Sequence, residues 1–259
     1  MKKFCSFHYN ELAKPLVAVA IHSGHELRSE AENITALSDE ERGREEDPYT
    51  DEFVRASQNS IVVNRSRFEV DLNRKRKNAV YRKPEDAWGL ELWKEEPNYK
   101  FIRDSLSLYD EFYHQLKNYL SQVHKIHGYS VIYELHSFNY KRKSQQNCKT
   151  FPDIIIGTGK IDRDRWLPAI TKLIEILQEY NFMGRKLKVT ENNFFPGGNF
   201  PAHVAKEFPL KCCPLAIEFK KFFMDEKTGR PFPKKIFEIQ KLIHYTINPV
   251  LSELQEIIE

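Results

Sequence analysis

Residues 16–24 read LVAVAIHSG. Six apolar residues in an unbroken run mark a strand covered on both faces, the pattern of a sheet sandwiched between layers. The run ends at His22, and Ser23-Gly24 then offer a turn. The same order of residues recurs further on. Tyr129–Leu135 (YSVIYEL) leads directly into His136, and Pro214–Phe219 (PLAIEF) carries Glu218 near its end. Between these runs the periodicity changes. Ile102, Leu106, Tyr109, Tyr113, Leu116, Leu120 and Val123 are spaced alternately four and three apart, one stripe of a long amphipathic helix. Trp166, Ile170, Leu173, Ile174 and Leu177 mark a second helix, and helical material from Ile236 onward is expected to kink or break near Pro249. Asp153–Ile156, Leu187–Val189 and Ile61–Val63 read as further strands. Ser66–Leu72, where apolar and polar residues alternate, reads as a strand with one polar face. Strand and helix alternating through the chain predict an α/β fold, three-layer α/β/α with a mainly parallel or mixed central sheet, in one domain spanning 1–259.

Two stretches interrupt this pattern. Residues 29–52 are the most polar and read as a surface loop with one short helix at most. Residues 75–98 place Trp88 and Trp93 among charges, where an aromatic covers a pocket or anchors the loop.

Composition narrows the function classes. The chain has 259 residues, 41% hydrophobic and 30% charged, enough apolar material for a sizeable core. A net charge of +3 and a pI near 8.5 suit a small anionic substrate. They fall short of the footprint of a nucleic-acid binder, and the basic runs at 74–77 and 141–143 read as solvated loop charge. Cys5, Cys148, Cys212 and Cys213 form no C-x-x-C pair, so neither a disulfide framework nor a cysteine zinc site is expected. No apolar run of signal-peptide or membrane-spanning length appears, and a cytoplasmic chain without a membrane partner is the expectation.

In an open α/β sheet, catalytic groups gather beyond the carboxyl ends of the strands. His22, His136 and Glu218 sit at or near three such ends. A catalytic zinc takes three His or carboxylate ligands and leaves a position for water, and a nearby carboxylate that is not a ligand can serve as general base. Two histidines and Glu218 meet most of that requirement. The third ligand would be a carboxylate, with Glu26 and Asp51 as candidates. A lone strand-end histidine is more often structural than catalytic, and two of them with a strand-end carboxylate bring the structural and catalytic readings level. In Ser66–Arg74 (SRFEVDLNR), Arg67 and Arg74 could hold a substrate carboxylate through their guanidinium forks, with Asp71 orienting an arginine and Asn73 adding a hydrogen bond. An ordinary surface strand laced with ion pairs is the competing reading.

Taken together, the blocks IHSG (21–24), DPYTDEF (47–53), SRFEVDLNR (66–74), YHQL (113–116), ELHS (134–137), PDIIIGT (152–158), NNFFPGG (192–198) and AIEF (216–219) resemble the N-formylglutamate amidohydrolase family, whose fold is related to zinc carboxypeptidases and the phosphorylase/hydrolase-like group. The resemblance implies a zinc ion, one per chain, on His22, Asp51 and His136, with Glu26 as the alternative acidic ligand. It implies Glu218 as the catalytic carboxylate and Arg67, Asn73 and Arg74 as contacts to a small anionic N-acyl amino acid. The chain departs from the family pattern at Ile21, where many members have Pro. Residues 140–150 and the loop around Trp88 have no match. The alternative reading is a carboxypeptidase or deacylase acting on a peptide or another N-acyl substrate.

Overall fold

The computed structural model describes residues 3–10, 14–141 and 151–258. Residues 142–150, with Cys148, most of the unmatched segment 140–150 and most of the basic run at 141–143, lie outside the described residues.

Seven strands form one mixed sheet: β1 (Cys5–His8), β2 (Leu16–Ala20), β3 (Asn59–Val63), β4 (Ser130–Phe138), β5 (Ile154–Gly157), β6 (Val189–Glu191) and β7 (Cys212–Lys220). Their order is β1-β3-β2-β4-β7-β5-β6. β3, β2, β4 and β7 run parallel, and β1 and β5 join antiparallel. The centre is buried on both sides, which is why β2, β4 and β7 read as apolar runs rather than alternating ones.

Two apolar layers cover the sheet. On one face, Ala18, Val131, Leu135, Leu215 and Ile217 pack with α5 (Leu167–Glu179) and α7 (Pro233–Ile258). On the other, Val17, Val19 and Ile132 pack under α4 (Tyr99–His127) and α6 (Asn199–Glu207). α4 starts at Asn98, whose side chain accepts from the Phe101 amide, and stops at Gly128 with φ 79°. The three-layer expectation is met.

Four local expectations need correction. Residues 29–52 hold three short helices, α1 (Ser29–Ile34), α2 (Asp39–Glu45) and the start of α3 (Thr50–Phe53). Ser38 and Glu41 close a capping box on α2, and the polar composition belongs to a helix with an exposed face. α7 runs on through Pro249 as one helix, so the chain does not break there. The short strand predicted at 187–189 lies at 189–191. Ser66–Leu72 is not a strand. The Glu69 amide turns back to Ser66 O and the Arg74 amide to Asp71 O, and Glu69 and Asp71 are fully buried. The alternation arises because the charged residues pair inside the protein, as Arg28 with Glu69 and Arg67 with Asp71 do, instead of facing water.

Candidate active site

β4 and β7 lie side by side with His136 opposite Glu218 in register. Period two puts both on the same face as Ile132, under the α4–α6 layer. β2 flanks β4 on its other side, so His22, two residues past its end, arrives beside His136. The two imidazole rings are 4.9 Å apart. Gly24 makes this turn possible, because a Cβ there would stand 2.2 Å from the Asn64 carbonyl carbon.

The acid that meets these histidines is Asp47. Its amide donates to His22 O at 3.0 Å, tying the chain to the end of β2. Its Oδ2 accepts from His136 Nδ1 at 2.8 Å and lies 3.5 Å from His22 Nδ1. One donor atom from each of His22, Asp47 and His136 falls within 4.8 Å of the others, and all three residues are buried. Asp51, the predicted ligand, lies one short helix away in α3, whose Phe53 packs into the opposite apolar layer; it does not join the group. Glu26 does not either. A ligand four residues after His22 needs a helical turn, and the chain there runs beside Arg65, with Ser66 N donating to Glu26 O. Within the DPYTDEF block it is Asp47, and not Asp51, that stands beside the two histidines.

The outward nitrogens of the two rings face carboxylates. His22 Nε2 donates to Asp71 Oδ1 at 2.8 Å. Glu134 Oε1 stands 2.8 Å from His136 Nε2, without hydrogen-bond geometry. Carboxylates behind ligating histidines fix ring orientation and raise ligand basicity. Glu134 was missed, though an acid inside YSVIYEL two residues before His136 must share its face. Burial works against the Asp47 charge, but hydrogen bonds from His136 and His22 and their charges hold its carboxyl far below the usual range. Burial works against the His136 charge too, yet Glu134 and the Asp47 hydrogen bond hold it well above the ordinary histidine value. Burial lifts Glu218 to about 7; the His136 charge opposes that rise, and Asp47 and Glu134 add to it. Asp47, Asp71, Glu134 and Glu218 thus crowd one place with Arg67 as the guanidinium among them. A divalent cation fits this donor set in both charge and ligand type.

A hollow of about 250 Å³ opens over these residues, walled by Glu218, Arg67, Asn73, Trp88, Phe195 and Gly198 among others. Arg67 donates from Nη2 to Asp71 Oδ2 at 2.8 Å and lies over the Trp88 ring at 5.0 Å. Its Nε has no hydrogen-bond partner among the described residues. Asn73 is held by its own Oδ1, which accepts from Phe200 N at 2.9 Å, while its backbone amide donates to Asp71 Oδ1 at 2.8 Å. Arg74 does not reach the hollow. It stacks on Tyr81 at 4.5 Å with Nε 3.7 Å from Asp71. Asp71 therefore carries more than the predicted orientation of an arginine. It accepts from His22, Arg67, Asn73 N and the Tyr81 hydroxyl.

The N-formylglutamate amidohydrolase family model matches residues 14–223. The chain belongs to the N-formylglutamate amidohydrolase family. The match takes in each residue of the His22, Asp47, Asp71, His136 and Glu218 cluster. Membership makes the chain an amidohydrolase in class. Two solved structures share the fold. The N-formylglutamate amidohydrolase of Ralstonia eutropha JMP134 superposes with a TM-score of 0.73 at 15% identity, covering 97% of this chain and 98% of that one. A gene product of Agrobacterium tumefaciens gives 0.70 at 17% identity, covering 98% and 97%. No curated protein matches the chain. No helix among the described residues is long and apolar enough to cross a membrane.

Proposed function

We propose that this chain is a metal-dependent hydrolase of the amide bond in an N-acyl amino acid, with N-formyl-L-glutamate as substrate and formate and L-glutamate as products. The observation that carries this reading is the convergence of buried His22, Asp47 and His136 beside a half-buried Glu218 in the wall of one hollow. His22, Asp47 and His136 would hold the ion, one per chain, and zinc is the metal such a set suits. When bound, zinc supplies a Lewis acid for the scissile carbonyl and makes water a stronger acid.

The remaining work belongs to side chains. Glu218, opposite His136 in register and lining the hollow, accepts a proton from the attacking water. It then returns that proton to the departing amine nitrogen as the C–N bond breaks. Arg67, steadied by Asp71 and Trp88 and lining the hollow, receives the substrate α-carboxylate, and Asn73 adds a polar contact on the same wall. These two contacts hold the amide over the reacting groups, which lowers the entropic part of the barrier. Asp71 and Glu134 keep the imidazoles in place. Residues 1–259 act as one catalytic domain in this reading, and neither nucleic acid nor membrane is required.

The test is formate release from N-formyl-L-glutamate by purified protein, before and after chelation, and after zinc is restored. Release that disappears with chelator, returns with zinc, and is lost in a zinc-retaining Glu218→Gln variant is the expected result. Absence of release from the zinc-loaded protein would rule out this substrate. Release untouched by chelator would rule out the metal.

A further inference from the structure

The hollow over the histidines continues past Arg67. A second hollow of about 220 Å³ shares Asp47, Arg67, Trp88, Ser137, Phe138 and Phe195 with it. Lys221 lies in the wall of this second space. It is the first residue beyond β7, and it is 1% exposed. Its Nζ donates to Arg44 O at 2.6 Å and to Glu46 O at 2.7 Å.

An ammonium has three donors, and two backbone carbonyls account for two of them. Burial lowers its pKa to about 8, while the charges of Asp47, Glu45 and Glu226 favour the ammonium, and Asp47 and Glu45 line the same hollow as Lys221. None of them forms an ion pair with it among the described residues. A lysine this deep is ordinarily paired with an anion. Here a lysine with no ion pair among the described residues lines a hollow that shares Arg67, Asp47 and Trp88 with the reaction site.

We propose that Lys221 determines specificity by receiving the side-chain carboxylate of an acidic N-acyl amino acid whose α-carboxylate lies on Arg67. This rests on the hydrolase reading above and assigns its acidic-substrate preference to one residue. The ligand chemistry is a second carboxylate three to four bonds from the first. A carboxamide in its place would offer the ammonium a neutral acceptor instead of a charged one.

The test compares N-formyl-L-glutamate with N-formyl-L-glutamine, in wild type, Lys221→Gln and Lys221→Arg, following kcat/KM and zinc content. Wild type is expected to prefer the acid by about 10- to 100-fold, the range of one charge-assisted hydrogen bond. In Lys221→Gln that ratio should collapse toward one, through KM on the acid, with zinc retained. Lys221→Arg should recover part of the preference. A wild type indifferent to the two substrates overturns the inference without any variant. So does a Lys221→Gln that loses zinc and both activities together, which would make Lys221 an anchor for the backbone next to Asp47. Calorimetric binding of L-glutamate and L-glutamine separates this inference from the hydrolase reading. Lys221-dependent discrimination between them supports the subsite even if no formate is released, and equal binding overturns it.

Discussion

Replacing Asp71 by Asn removes one charge from a fully buried position and changes little in shape. Asp71 accepts from His22 Nε2, Arg67 Nη2, the Asn73 amide and the Tyr81 hydroxyl, so the substitution acts in two separable ways. Arg67 is left as a largely buried guanidinium without its partner, at 14% side-chain exposure. Breaking a buried pair from one side costs about 3–5 kcal/mol. At about 2–4 °C per kcal/mol for a chain of this size, the melting temperature should drop by roughly 6–20 °C. Measured in excess chelator, this drop reports the Arg67, Tyr81 and Asn73 contacts without the metal. The second effect falls on His22. Without a carboxylate behind Nε2 its ring loses its fixed orientation, and zinc affinity should weaken by about 10- to 100-fold. Competition with a chromophoric chelator measures that affinity directly. A chelated Asp71→Asn that melts within about 3 °C of wild type, together with unchanged zinc affinity, would refute the reasoning on both counts.

Further expectations follow from neighbouring residues. Arg67→Lys keeps the charge and loses the fork, so KM should rise by about 10- to 100-fold while kcat holds; a proportionate loss of kcat in steady-state kinetics would place Arg67 elsewhere in the mechanism. A Cβ at Gly198 would stand 2.1 Å from Asn73 Oδ1, so Gly198→Ala must displace Asn73 from Phe200 N. It should cost about 1–3 kcal/mol by denaturant titration and raise KM, and a neutral outcome would show that the loop yields freely. His124 is lowered from 6.5 to about 4 by burial and by the Lys211 charge. Because its folded pKa is the lower one, the unfolded chain takes up the proton first as pH falls. This group therefore subtracts stability as pH drops from 6.5 to about 4 and has no effect at neutral pH. His124→Asn should flatten the stability profile in that window, and an unchanged slope would contradict the assignment.

The parts of the fold that sequence could reveal were those ruled by burial. LVAVAI, YSVIYEL and PLAIEF are apolar because the sheet is covered on both faces, and His22, His136 and Glu218 stand out as polar residues at the ends of such runs. SRFEVDLNR misled because alternation is evidence for a strand only when the polar face meets water. Here Glu69 and Asp71 are buried against arginines, a fact that depends on partners distant in the chain. Asp47 and Asp51 could not be told apart by pattern, since both are aspartates in one polar block. What separates them is the bond from the Asp47 amide to His22 O and the helical turn of Thr50–Phe53, which sets Asp51 apart from the two histidines. Glu134 was visible in principle, as a charge in an apolar strand on the same face as His136. Lys221 had no sequence signal, because its interest lies in the hollow it borders.

The central claim is that Asp47, and not Asp51, completes the metal site with His22 and His136. Zinc content per chain, measured by elemental analysis after dialysis, tests it most directly in wild type, Asp47→Asn and Asp51→Asn. About one zinc is expected in wild type and in Asp51→Asn, and little in Asp47→Asn. Zinc retained by Asp47→Asn and lost from Asp51→Asn would contradict it.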